Sequence, residues 1–140
     1  MKLIGAFFIS LLVVFLMKSE VSSQSRVTGE EFLKAFYTEY IRKCDQPASE
    51  HEKFIEFRNA HCSKKLLQHI DILTLDYDPF LNAQDCSENW TNSLKVVRVS
   101  EKDETYQVTY NTGFNDVINV VELTLIPNGS TYLIDSIKGW

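Results

Sequence analysis

The chain has 140 residues, with 14 basic and 19 acidic side chains and a formal net charge of −5 at neutral pH. Nucleic-acid binding needs a dense basic face that displaces phosphate counterions, and the two adjacent basic pairs, Arg42-Lys43 and Lys64-Lys65, are typical of solvated helix surface instead. We therefore expect no nucleic-acid partner.

The first residues are typical of an export signal. An apolar run of 15 residues, Leu3 to Met17, follows a basic start, and Val21-Ser22-Ser23 offers small residues for cleavage. A membrane-spanning helix needs roughly 20 apolar residues, so an uncleaved anchor is the less favoured alternative. We predict a cleaved signal peptide over residues 1–23 and an exported protein, periplasmic or secreted, with no stable membrane insertion after cleavage. Residues 24–140 should form a single α+β domain with a net charge of −6.

Three cysteines in an exported chain allow three single disulfide bridges and leave one cysteine over. Cys62 and Cys86 flank the second helical segment and an acidic stretch, and a bridge between them would stabilise by about 3 kcal/mol in the chain-entropy model. The favoured prediction is Cys62–Cys86. Cys44 would then be a buried apolar filler or a free thiol.

The first predicted helix begins at a capping box formed by Thr28 and Glu31. It should end near Lys43 or Cys44, because Asp45-Gln46-Pro47 favours a loop. Its apolar residues recur at helical spacing and define a broad buried face: Phe32, Leu33, Ala35, Phe36, Tyr37, Tyr40 and Ile41.

A second capping box, Ser49 with Glu52, predicts another helical segment. Asn59-Ala60-His61 interrupts its apolar pattern, which indicates two short helices or one kinked helix. The three histidines are read as surface or cap residues, since no pair has the i, i+4 spacing of a zinc site.

After Cys86 the pattern changes to the period of two that β-strands show. Strands are predicted over residues 94–100, 105–111, 116–126 and 131–137, with a hairpin turn at Asn128-Gly129. The third strand is nearly continuous in apolar residues and is expected to be central, with both faces partly covered. Helices followed by a meander predict an α+β fold in which N-terminal helices pack on a four-stranded antiparallel twisted sheet, shaped as a cone with an open mouth.

The stretch from Asp76 to Asp85, Asp-Tyr-Asp-Pro-Phe-Leu-Asn-Ala-Gln-Asp, separates the two halves. With the Phe36-Tyr37 helix before it and the meander after it, it resembles a bacterial family of exported proteins and lipoproteins classed only as a domain of unknown function. The resemblance implies a cystatin-like or nuclear-transport-factor-2-like cone and no particular activity. This chain differs from the lipoprotein members because it lacks a lipidation cysteine.

The acidic stretch has two interpretations. Asp76, Asp78, Asn82 and Asp85 carry hard oxygen ligands suited to calcium, but their spacing fits no calcium loop. The favoured interpretation is structural: Asp78 caps a short helical turn that begins at Pro79 and runs toward Gln84, while Phe80 and Leu81 enter the core. We accordingly predict no metal and no cofactor.

The leading functional hypothesis is a non-enzymatic exported binding module. It would use the concave sheet, or the rim near Asp76–Asp85, to bind a protein partner or a small ligand, and a homodimer is also considered. The candidate binding residues are Asp76, Asp78, Gln84, Asp85 and Trp90. The alternatives are a small cavity enzyme using carboxylates such as Asp76, Asp78 or Asp85 with His61, and an inhibitor or immunity-type protein whose acidic surface blocks a basic cleft.

Overall fold

The computed structural model describes residues 25–72 and 76–140, so the predicted signal peptide lies outside the described residues. The helical half contains α1 (Gly29–Cys44), α2 (His51–Ala60) and α3 (Lys64–Ile72). Two short 3₁₀ helices, Ala48–Glu50 and Glu88–Ser93, precede α2 and the sheet. The sheet consists of β1 (Lys95–Arg98), β2 (Thr105–Asn111), β3 (Ile118–Asn128) and β4 (Thr131–Ile137). Within these described ranges, no helix is both long and apolar enough to cross a membrane.

Helix α1 begins at the predicted capping box. The Thr28 backbone N–H donates to the Glu31 carboxylate at 2.8 Å, and the Glu31 N–H donates to the Thr28 hydroxyl at 3.2 Å. Both bonds satisfy N–H groups that the first helical turn leaves unpaired. The predicted apolar face is buried except for Ala35, which is exposed and lines a surface groove. The predicted end at Cys44 is confirmed.

The second helical segment consists of two helices, α2 and α3, which confirms one of the two alternatives predicted. Between them, residues 61–63 run extended beside β4: the Ser63 N–H donates to the Ile134 carbonyl at 2.8 Å, and the Ile134 N–H donates to the His61 carbonyl at 2.9 Å. These bonds hold the break in place. The predicted capping box of Ser49 and Glu52 is wrong, because a 3₁₀ turn occupies Ala48–Glu50 and α2 has no side-chain cap.

The four strands form an antiparallel sheet in the order β1-β2-β3-β4, which confirms the predicted α+β fold class. The Asn128-Gly129 turn joins β3 to β4, and Gly129 adopts the positive φ of +61° that such turns require. The expectation that both faces of β3 are partly covered is wrong. Only the face with Val121, Leu123 and Leu125 packs on the helices, while Ile118 and Val120 face outward and are exposed.

The helix-facing side of the sheet is filled with core side chains. Tyr106, Val108 and Tyr110 of β2 are almost completely buried, as are Phe36 and Tyr37 of α1. Apolar burial of this kind is the main favourable contribution to folding. In the described part of the chain the helix-facing side of the sheet is thus packed, and the rim near Asp76–Asp85 is the other predicted binding surface.

The predicted Cys62–Cys86 disulfide is wrong: the structure pairs Cys44 with Cys86, whose Cα atoms lie 6.2 Å apart. The end of α1 lies beside the 3₁₀ helix Glu88–Ser93, and the Glu88 N–H donates to the Asp45 carboxylate at 2.9 Å. Cys62 is instead held against β4, where burial raises the pKa of its thiol to about 12. The bridge therefore joins the end of α1 to the end of the acidic stretch.

Candidate functional site

The acidic stretch contains a tight turn that closes on itself. The Asp78 N–H donates to the Ala83 carbonyl at 2.9 Å, and the Asp78 carboxylate accepts the Phe80 N–H at 2.8 Å. Asn82 has a positive φ of 50°, a conformation that asparagine tolerates better than most residues. The Asp78 side chain therefore accepts from the backbone of the turn, as a cap does, but the predicted helical turn toward Gln84, with Asp78 as its N-cap, is wrong because the chain reverses at Asn82.

The turn is anchored from beneath by the core and the sheet. Phe80 and Leu81 are almost completely buried, as predicted. The Tyr110 hydroxyl donates to the Leu81 carbonyl, and the Asn119 amide donates to the Leu81 and Asn82 carbonyls at 3.3 Å each. Backbone groups that the turn leaves unpaired thus find partners on β2 and β3, which fixes the turn relative to the sheet.

The Asp78 carboxyl group is the most perturbed acidic group near this turn. Burial raises its pKa, while the hydrogen bonds from the Tyr40 hydroxyl and the Phe80 N–H oppose that rise by favouring the charged form. The Tyr40 hydroxyl donates to Asp78 Oδ2 at 2.7 Å. Burial and the neighbouring Asp78 charge raise the pKa of Tyr40 well above its ordinary value, so the tyrosine stays a donor.

A cleft of about 360 Å³ opens between α2 and this turn. One wall is a single face of α2, in which His51, Phe54, Ile55 and Arg58 follow the helical spacing of three and four residues. The opposite wall and the base are formed by Tyr40, Ile70 and residues 76–80. Every residue of α2 is at least partly exposed, and the inner end of this face packs on α1 through Phe54 and Tyr40, whose ring centroids lie 4.8 Å apart.

Arg58 is the cationic residue that distinguishes the cleft. Its guanidinium Nε and Nη2 donate to the Asn59 side-chain carbonyl at 3.1 and 3.0 Å, and no carboxylate in residues 25–72 or 76–140 forms a salt bridge with it. Its positive charge nevertheless acts on Asp78, whose pKa it lowers against the larger effect of burial. The cleft thus presents an arginine and a buried carboxyl group that influence each other without direct contact.

The structure separates the five residues predicted to bind. Asp76 and Asp78 line the cleft, whereas Gln84 and Asp85 are exposed farther along the same stretch and do not line it. Trp90 is buried: its ring stacks on Tyr110 with centroids 5.0 Å apart, and its indole N–H donates to the Thr112 carbonyl at 3.1 Å. Trp90 therefore has a packing role and is not placed as the exposed binding residue that the sequence predicts.

The sequence interpretation missed the α2 wall. The sequence predicts Phe54 and Ile55 only as part of the apolar pattern of a helix, and it indicates no joint role for Arg58 and His51. The spacing of residues 51, 54, 55 and 58 was available as a signal, because two polar residues flank two apolar ones on one helical face. The missing information was the position of the acidic stretch opposite that face.

This geometry gives little support to a metal site or to a catalytic site. No group of three or more histidine, cysteine, aspartate or glutamate side chains in the described part of the chain is arranged to hold a metal ion. His61, considered as a catalytic partner, lies in a separate groove beside Phe32 and Tyr132, where its Nδ1 donates to the Phe57 carbonyl at 2.7 Å. The cleft holds Asp76 and Asp78 but neither Asp85 nor His61.

Neither a protein-family model nor a curated protein sequence matches this chain. A crystal structure of a protein of unknown function from Bacteroides thetaiotaomicron is similar to it, with a TM-score of 0.69 and 22% sequence identity. The match covers 79% of this chain and 88% of that chain. At this identity the similarity concerns the fold alone, and it agrees with the α+β architecture described above.

Proposed function

We propose that the chain is an exported, non-enzymatic binding module and that the cleft between α2 and residues 76–80 holds its protein partner or small ligand. The observation that supports this most is the combination of Arg58, which has no ion-pair partner among the described residues, with half-buried apolar side chains in an open cleft. Ligand sites typically combine apolar walls with a few polar groups in this way.

Two further sequence predictions accompany the proposal. The first is membership in the bacterial exported or lipoprotein family that the Asp-x-Asp-Pro-Phe and Gln-Asp elements resemble. The second is a cystatin-like or nuclear-transport-factor-2-like topology, with which helices packed on a four-stranded meander are compatible. An inhibitor or immunity-type protein is one form of the protein-binding proposal. Homodimer formation stays a prediction, and sedimentation velocity of residues 24–140 tests it.

The proposed site is tested by a pull-down of the tagged mature chain from its own cell envelope, followed by identification of what is retained. Two variants within one stretch make the comparison sharp: Asp76→Asn changes a residue that lines the cleft, and Asp85→Asn changes one that does not. Partner capture should fall with Asp76→Asn and persist with Asp85→Asn. Equal loss in both variants, or capture of nothing by the unaltered chain, would contradict the proposal.

A small cavity enzyme is the second candidate. The observation that favours it is the raised pKa of Asp78 at the base of the cleft, because a carboxyl group with a raised pKa is suited to acid or base catalysis. Both carboxylate oxygens of Asp78 already accept hydrogen bonds, which favours the structural role. A hydrolytic activity that disappears in Asp78→Asn while the variant stays folded would replace the binding proposal with this one.

A further inference from the structure

We propose that the cleft recognises an uncharged amide next to an apolar side chain, the group that a peptide segment presents. This inference rests on the proposed binding function and names the ligand chemistry of the same site. It follows from three properties of the cleft: the signs of its charges, the absence of a salt bridge between Arg58 and the acidic residues that line it, and the apolar side chains beside them.

The charges of the cleft are mixed. Arg58 supplies a guanidinium on the α2 wall, while Asp76 and Asp78 supply carboxyl groups on the opposite wall. A carboxylate ligand would pair with Arg58 but would be repelled by two acidic residues. An ammonium ligand would pair with the acidic residues but would be repelled by Arg58. Like charges placed together in a binding site are strongly unfavourable, so either kind of charged ligand is selected against.

An amide matches both walls without carrying charge. Its carbonyl oxygen accepts from the Arg58 guanidinium, and its N–H donates to the exposed carboxylate of Asp76, since both oxygens of Asp78 already accept hydrogen bonds within the protein. Arg58 forms no salt bridge with Asp76, so the Asp76 carboxylate and the guanidinium N–H groups that do not donate to Asn59 stay available to a ligand. Arginine is suited to this contact because its planar guanidinium presents several donors in a fixed arrangement.

The cleft also has an apolar part, which lies beside Arg58 on the α2 wall and at the base. Phe54, Ile55 and Ile70 line it, and Phe80 closes its base. These side chains provide a surface for an aliphatic or aromatic group, which gains affinity by leaving water. A volume of about 360 Å³ is at the lower end of the roughly 300–1,000 Å³ that ligand pockets span, which favours one side chain with its flanking amides.

Three probes with one side chain separate the charge requirements. N-acetyl-leucinamide is neutral, N-acetyl-leucine is anionic and leucinamide is cationic, while all three carry the same isobutyl side chain. A titration of the isotope-labelled mature chain, followed by amide NMR shifts, should show the neutral probe acting on residues 51–58 and 76–80. Each charged probe should bind at least about tenfold more weakly, since one mismatched charge is expected to cost 1.4 kcal/mol or more.

Arg58→Gln and Lys53→Gln are the matched variants, because both change a cation on α2 but Lys53 lies outside the cleft and pairs with Glu50. Arg58→Gln should weaken the binding of N-acetyl-leucinamide and strengthen the binding of leucinamide, whereas Lys53→Gln should change neither affinity. Tighter binding of a charged probe, or an unchanged affinity in Arg58→Gln, would overturn the inference.

The outcome also separates this inference from the proposal beneath it. If no probe shifts the cleft resonances while the envelope partner is still captured in an Asp76-dependent manner, the amide inference is wrong and the binding function stands. If probe binding and Asp76-dependent capture both fail, both proposals are wrong. If N-acetyl-leucinamide displaces a captured protein, the amide belongs to a segment of that partner. If it displaces a retained small molecule, the amide belongs to a free peptide.

Discussion

Asp78 shows how one side chain connects the turn, the core and the cleft. Its carboxylate accepts the Phe80 N–H within the turn and the Tyr40 hydroxyl from α1. Burial favours the protonated carboxyl group, while these two donors favour the carboxylate. The residue is consequently a structural link first, with its position at the cleft base as a second property.

Removing the Asp78 acceptor should destabilise the protein. In Asp78→Ala the Phe80 N–H and the Tyr40 hydroxyl both lose their partner, so we expect the free energy of unfolding to fall by about 2 kcal/mol. Asp78→Asn keeps an acceptor for the Phe80 N–H and should lose clearly less. Urea unfolding of the three proteins measures this, and an equal loss in both variants would show that the hydrogen bonds are not what matters.

The raised pKa of Asp78 also predicts a dependence on pH. Because the folded chain binds this proton more tightly than the unfolded chain, the side chain stabilises most below its ordinary pKa of about 3.9, and this contribution is lost as the pH rises through the raised value. The difference in free energy of unfolding, unaltered chain minus Asp78→Asn, should therefore be larger at pH 4 than at pH 7. A difference that grows with pH would mean that the folded-state pKa is lowered.

At the scale of helices and strands, the sequence predicts most of what local pattern determines. The capping box and apolar spacing of α1, the alternation in β2 and β4, and the Asn128-Gly129 turn all describe interactions between near neighbours in the chain. Two local predictions are wrong, the Ser49–Glu52 capping box and the helical turn toward Gln84, and the other errors concern contacts between distant segments. Neither the disulfide partner of Cys86 nor the wall opposite α2 follows from local spacing, because both depend on how the helices pack on the sheet.

The disulfide is the clearest element-level prediction. Cys44 and Cys86 are separated by 42 positions, and closing a loop of that length stabilises by about 4 kcal/mol in the chain-entropy model. Non-reducing peptide mass analysis of the exported protein should find a crosslink of Cys44 with Cys86, and Cys62 should react with an alkylating reagent only after unfolding. A crosslink that contains Cys62 would contradict the structure.

The molecule as a whole has one covered and one open side of its sheet. Helices cover the inner side, whereas Val97, Ile118 and Val120 on the outer side are exposed, as is Phe114 in the β2–β3 connection, at 73%. Phe114 and Phe80 illustrate the contrast, because Phe114 is exposed whereas Phe80 is only 1% exposed. The location of an apolar residue, and not its type, decides its contribution to stability.

This contrast gives a paired prediction. Phe80→Ala should lower the free energy of unfolding by about 3–5 kcal/mol, because it leaves a cavity beneath the cleft. Phe114→Ala should change it by no more than about 0.5 kcal/mol, as is usual for exposed positions. Denaturant unfolding measures both losses from the midpoints, provided that the free energy of unfolding depends equally steeply on denaturant in each variant. A large loss in Phe114→Ala would show that a contact buries Phe114 in solution.

We propose that this protein binds its partner in the cleft between α2 and residues 76–80. Amide hydrogen exchange of the mature chain, alone and with its captured partner, tests that claim most directly. Exchange should slow in residues 51–58 and 76–80 and stay unchanged in β1 and in the outer face of β3. Slowing confined to Val97, Ile118 and Val120, with residues 76–80 unaffected, would place the binding surface on the open side of the sheet and contradict the claim.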